Sequence, residues 1–194
     1  MVRGGRIRRG LGAVAIFLTA IALQQASTRP WGWGSASDGS RYELSPVGLS
    51  RLEGGDATRR DASARTDCRW WPVYGDPALC GVRPDGEAAY RRLRLAYPAL
   101  QVAMWLAVAS LLLQTLRIPR QRLWQGAAPL ATCALSAAGV HFVSREAPRA
   151  LNALQQVDLH FGEFGFVCGV AAVVLSGFSA LVALREPSPP PSDA

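Results

Sequence analysis

The sequence predicts an all-α membrane protein: a four-helix transmembrane bundle with a disulfide-bonded, partly β external loop between helices 1 and 2. Three observations predict it. Four long runs carry no Asp, Glu or Arg; arginine gathers at the ends of those runs; and one long polar segment, between the first two runs, holds a pair of cysteines. The composition agrees, because 18% of the 194 residues are charged and 49% are hydrophobic, against about 25% charged in an ordinary soluble domain.

The uncharged runs are 10–26, 97–116, 123–143 and 164–184, together 79 of 194 residues. About 20 helical residues, at roughly 1.5 Å each, cross a hydrocarbon core of roughly 30 Å. Only a helix satisfies its own backbone there without a partner strand. Too little chain remains to bury four such helices in a soluble core, so each run reads as a span.

Residues 1–9 form a basic cytoplasmic N-terminus with Arg3, Arg6, Arg8 and Arg9. The first run, 10–26, follows it as span one. A secretory signal has the same outline, and Ala20-Ile21-Ala22 offers a small-x-small cleavage pattern. The apolar run continues through Leu23, however, and the reading adopted is an uncleaved span. Residues 27–95 form the external loop domain. Its islands Tyr42-Glu43-Leu44 and Val47-Gly48-Leu49 read as brief strands between turns. Its second half places Trp70, Trp71, Val73, Tyr74 and Leu79 between Cys68 and Cys80. In an oxidising compartment that pair reads as a structural disulfide. A metal pair or a redox pair is the alternative, although the spacing is not Cys-x-x-Cys and two thiols do not complete a zinc site. Beyond it a helix from about Gly86 runs toward span two at 97–116, where Pro98 marks a kink or a start. A cytoplasmic turn (117–122), span three (123–143), a short external loop (144–163), span four (164–184) and a Pro-rich disordered cytoplasmic tail (185–194) complete the chain.

Arginine placement orients these spans. The cytoplasmic segments hold eight Arg against Glu186 and Asp193, which is six of the formal net charge of +7. The positive-inside rule then puts both termini inside and the long loop outside. Arg91, Arg92 and Arg94, just outside span two, run against that rule; they either meet headgroups or solvate the start of the helix. The basic balance does not imply nucleic acid, because no patch interleaves Arg with aromatic residues. All 21 basic residues are Arg, the usage of a GC-rich genome, and the expected location is a bacterial cytoplasmic (inner) membrane.

The layout resembles the claudin and peripheral-myelin-protein tetraspans. A short N-terminus, Trp31 and Trp33 at the start of a large first external loop, and two cysteines about a dozen apart carry the resemblance. So do a basic helix before span two, a tight cytoplasmic turn and a small second external loop. It is a likeness of spacing: Trp70-Trp71 follows Cys68, where that family places Gly-Leu-Trp before its first cysteine. The resemblance implies a small external β-sheet packed on a left-handed bundle, and a role in lateral assembly or as an accessory subunit.

Residues with chemistry are few. His141, Asp158, His160 and Glu163 gather near the outer ends of spans three and four. With span four beginning early, His160 and Glu163 share a helix face. Two His and a carboxylate suit a divalent metal, and His141 or His160 suits a haem; the bland reading is interfacial polar residues bonded to one another or to water. Gln101 and Gln114 in span two are interhelical hydrogen-bonding residues, and Cys133 and Cys168 are packing residues. Gly165 and Gly169 form a GxxxG step that serves either a dimer face or a contact within the bundle. The functional expectation is a non-enzymatic scaffold or accessory subunit with no cofactor, partnered by the lipid bilayer and by another membrane protein or a second copy. The alternative is a small membrane redox or cofactor-binding (haem, metal or quinone) subunit using His141 and His160.

Overall fold

The computed structural model describes residues 2–35, 41–52, 67–69, 87–115, 122–152 and 158–185. Four long helices dominate them: α1 (Val2–Thr28), α3 (Ala96–Thr115), α4 (Arg122–His141) and α6 (Phe164–Leu184). Short helices α2 (Glu87–Leu93) and α5 (Ala147–Asn152) flank them, and a π-helical turn, Phe142–Glu146, joins α4 to α5. Among the described residues, four stretches are long and apolar enough to cross a membrane: Gly10–Thr28, Ala88–Leu113, Gly126–Arg149 and Phe164–Leu184, of 19, 26, 24 and 21 residues. The chain is thus built as a helical membrane bundle.

The helices close a ring in which α1 packs on α6 and α3, and α4 packs on α3 and α6. Its interior is rich in small residues, with Ala103, Ala107, Ala172, Thr132, Ser136 and Ser176 fully buried beside Ile16, Leu23 and Leu100. Its outside is large and apolar: Trp105 is 65% exposed, Val174 64% and Leu184 67%. A water-soluble bundle has the reverse arrangement, because water drives Leu and Phe inward. Lipid applies no such drive between helices, so close backbone approach through small residues takes over. A Cβ built on Gly139, for example, would lie 2.8 Å from Leu100 Cδ2. Most interior hydroxyls donate to their own helix, as Thr19 Oγ1 to Ala15 O (2.8 Å) and Ser136 Oγ to Thr132 O (2.7 Å). Ser179 Oγ donates instead to Gly12 O on α1, at 3.3 Å.

One end of the ring carries an antiparallel sheet of five strands, ordered β4-β3-β2-β1-β5. Strands β1 (Gly32–Ser35), β2 (Arg41–Ser45), β3 (Gly48–Leu52) and β4 (Asp67–Arg69) come from the segment between the first two spans; the first apolar island falls in β2, and Gly48-Leu49 of the second open β3. Strand β5 (Asp158–Phe161) comes from the segment between the last two spans. It pairs with β1 in the register Gly32↔Phe161, Trp33↔His160, Gly34↔Leu159, Ser35↔Asp158. Inward positions are apolar, with Leu44 fully buried.

Two features depart from the reading of the sequence. Residues 144–163 are not a plain loop: the helix of span three continues through the π-turn and α5 to Asn152. Nor does span four begin early. Gly162, at φ 145°, separates β5 from α6, in a backbone conformation open to glycine and rarely to other residues. His160 therefore stands on a strand and Glu163 at the N-cap of α6, so they share no helix face.

Candidate functional site

The joint between sheet and bundle is built around Trp31. The chain leaves α1 at Thr28, and Trp31 folds back so that its Nε1–H donates to Ala26 O at 2.6 Å. Its backbone N–H donates to Leu44 O on β2 at 2.8 Å, and Gly162 N–H donates to its carbonyl at 3.5 Å. The ring is fully buried and meets Phe166 edge-on at 5.8 Å. An indole suits this place, being a large apolar body with one polar handle that finds an acceptor.

The GxxxG step of α6 receives that ring. A Cβ on Gly165 would lie 2.5 Å from Pro30 O, 2.6 Å from Arg29 O and 2.8 Å from Trp31 Cδ1; one on Gly169 would lie 3.1 Å from Trp31 Cη2 and 3.2 Å from Val140 Cγ2. Gly165 N–H also donates to Pro30 O, at 2.9 Å. Both glycines are buried within the molecule, against residues 29–31 and Val140 of the same chain. Of the two glutamines expected to bond between helices, Gln101 is half-buried on α3 and the Gln114 side chain lies outside the described residues.

On the outer face of the sheet, Trp33 stands between Glu43 on β2 and His160 on β5. Directly opposed residues share a face. Trp33 is 47% exposed, and its ring lies 4.8 Å from the His160 ring, tilted by 36°. His160 is thereby drawn to Trp33. His141, at the end of α4, is exposed and meets Phe142 at 6.3 Å. Glu163 is exposed, and its backbone carbonyl accepts from Phe166 N–H (3.0 Å) and Val167 N–H (3.2 Å). Among the described residues, no three His, Cys, Asp or Glu side chains gather where they could hold a metal ion. Strand pairing is the physical reason, since it directs His160 to the outer sheet face and leaves Glu163 beyond the Gly162 bend.

One further polar cluster lies between α2, the π-turn and α5. Glu146, the last residue of the π-turn, is buried. Its Oε1 accepts from Arg92 Nη1 on α2 and Arg149 Nη1 on α5, each at 3.2 Å. Its Oε2 is buried with no hydrogen-bond partner among the described residues. A π-turn inserts a residue and re-aims the side chains after it; here it places a carboxylate against α2. A weak signal existed in Glu146-x-x-Arg149, an i,i+3 pair beside the Arg91, Arg92, Arg94 run.

Cys133 and Cys168 are free, half-buried thiols in α4 and α6. Cys133 Sγ lies 3.5 Å from Val173 O, which fits a packing role. Cys68 is on β4 opposite Leu49, and Cys80 lies outside the described residues. Set against family models, the sequence matches none, and no curated protein matches it either.

Proposed function

We propose that this integral membrane protein is a non-enzymatic tetraspan scaffold or accessory subunit whose external sheet is its contact surface. One observation carries the reading: segments from both sides of the bundle meet in a single sheet, anchored by buried Trp31, which presents Trp33 with Glu43 and His160 on its outer face. A surface fixed at its root loses little conformational freedom on binding, which favours association. The likeness to the claudin and peripheral-myelin-protein tetraspans supports a role in lateral assembly, since it implies a small sheet seated on a helical bundle.

The proposed orientation has both termini inside a bacterial cytoplasmic membrane and the sheet outside, supported by the eight-to-two excess of Arg over acids in the N-terminus, the 117–122 turn and the tail. In that compartment Cys68 and Cys80 form a disulfide. Alkaline-phosphatase fusions after Gly55 and Asn152 are expected to be active, and fusions after Gln121 and Ser188 inactive; activity after Gln121 overturns the orientation. The function is tested by photo-crosslinkers placed at Trp33, at His160 and, as a lipid-facing control, at Val174. A discrete protein adduct from the first two and not from Val174 is expected. A haem band or bound iron in the purified protein, lost in His141→Ala/His160→Ala, would replace the scaffold with the redox reading.

A further inference from the structure

We infer that the Arg92–Glu146–Arg149 cluster is a binding site for a phosphate oxyanion, set at the level of lipid headgroups. Residues 87–95 and 142–152 together hold five arginines (Arg91, Arg92, Arg94, Arg145, Arg149) and two acids, Glu87 and Glu146. The two segments are packed together, α2 lying against both the π-turn and α5.

Geometry then singles out two of the five. The Nη1 atoms of Arg92 and Arg149 are each 3.2 Å from the same Glu146 oxygen, so they lie no more than about 6.4 Å from each other. Among the described residues Glu146 is the carboxylate that pairs with these two arginines, one negative charge against two positive. A guanidinium has five N–H donors in a planar fork. Each of these two uses a single nitrogen on Glu146 while its side chain stays 52% and 51% exposed. Both forks are thus half-exposed, held close, and attached to a buried anchor. Two such forks at this spacing are suited to bridging a tetrahedral oxyanion, the ligand that arginine binds bidentately.

Location names the ligand class. Arg92 lies in the first turns of the apolar stretch Ala88–Leu113, and Arg149 closes the stretch Gly126–Arg149. Arginines at that depth meet the headgroup layer, where the oxyanions are phosphates. Glu146 is a positioning residue: it reaches no ligand in this arrangement, but it sets the spacing of the two forks.

The test uses the full-length protein in uncharged maltoside micelles and follows thermal unfolding and lipid retention by native mass spectrometry. The additions are phosphatidylglycerol, diacylglycerol with the same tails but no phosphate, and inorganic phosphate. Phosphatidylglycerol is expected to be retained and to raise the unfolding midpoint, with diacylglycerol without effect. If inorganic phosphate raises the midpoint equally, the source is free phosphate; if it does not, the source is the lipid headgroup. In Arg92→Gln/Arg149→Gln the half-saturating phosphatidylglycerol concentration should rise about tenfold or more, the scale of lost charge-assisted hydrogen bonds. Arg92→Lys/Arg149→Lys keeps the ion pairs with Glu146, and hence the fold, but loses the forks; about tenfold weaker binding is expected there too. Arg145→Gln, in the same collar but outside the pair, should change it less than about twofold. An equal midpoint shift from diacylglycerol, or undiminished binding in the Lys variant, overturns the inference.

Discussion

Gly165→Ala is the sharpest test of how the sheet is fixed to the bundle. The new methyl carbon would stand 2.5 Å from Pro30 O, 2.6 Å from Arg29 O and 2.8 Å from Trp31 Cδ1. Two of those atoms are backbone, and Pro30 O already accepts from Gly165 N–H at 2.9 Å, so neither can swing aside. Relief requires sliding α6 away from residues 29–31, which opens the Trp31–Gly169 contact. Overpacking of this kind costs about 1–3 kcal/mol, and a weakened hydrogen bond adds about 1 kcal/mol. The higher helix propensity of Ala returns up to about 1 kcal/mol. The net expectation is a loss of about 1–3 kcal/mol. Gly12→Ala is the matched control, because its Cβ would find Val182 Cγ1 at an ordinary 3.8 Å. Both variants are to be unfolded with SDS from maltoside micelles and followed by circular dichroism. Gly165→Ala at or above the stability of Gly12→Ala would refute the close approach on which the joint depends.

Three further outcomes are expected. Trp31→Phe keeps most of the ring but removes the donor to Ala26 O and should cost about 1–2 kcal/mol in the same assay, whereas Trp31→Ala should cost about 3–5 kcal/mol. Thiol counting on unfolded protein isolated without reductant should find two free cysteines, rising to four on reduction, and Cys68→Ser should cost about 2–4 kcal/mol; four free thiols at the outset would refute the bridge. Glu146→Gln removes both ion pairs, but the half-exposed arginines regain water, so a loss of only about 1 kcal/mol is expected; a loss several times larger would mean the cluster is a structural keystone.

The four helices were legible because lipid imposes a length and an absence of charge that can be read one residue at a time. The run at 164–184 is the clearest case. Strand β5 was not legible: Asp158–Phe161 is four residues long, and its partner Gly32–Ser35 lies more than a hundred residues earlier. Nothing local in so short a segment favours a strand over a helical extension, and only pairing with β1 decides it. That pairing also broke the expected His160–Glu163 face. Gly165 and Gly169 were legible as a close-approach step, but what approaches them depends on Trp31 turning back from the end of α1. The Glu146 cluster escaped because a π-turn shifts the helical phase, so ordinary helix spacing from His141 misplaces every residue after it.

The account rests on one sheet drawn from two segments and seated on a membrane bundle. Cross-linking of Trp33→Cys with His160→Cys in native membranes tests it most directly. These positions are directly opposed in the β1–β5 ladder and their native rings lie 4.8 Å apart. Opposed residues in an antiparallel pair sit about 4.5–5.5 Å apart between Cα atoms, within reach of a disulfide. Mild oxidation should join residues 33 and 160, identified as a linked peptide pair, and should fail for Trp33→Cys with Asp158→Cys, two residues out of register. No 33–160 link, or equal linking at both positions, would contradict the sheet.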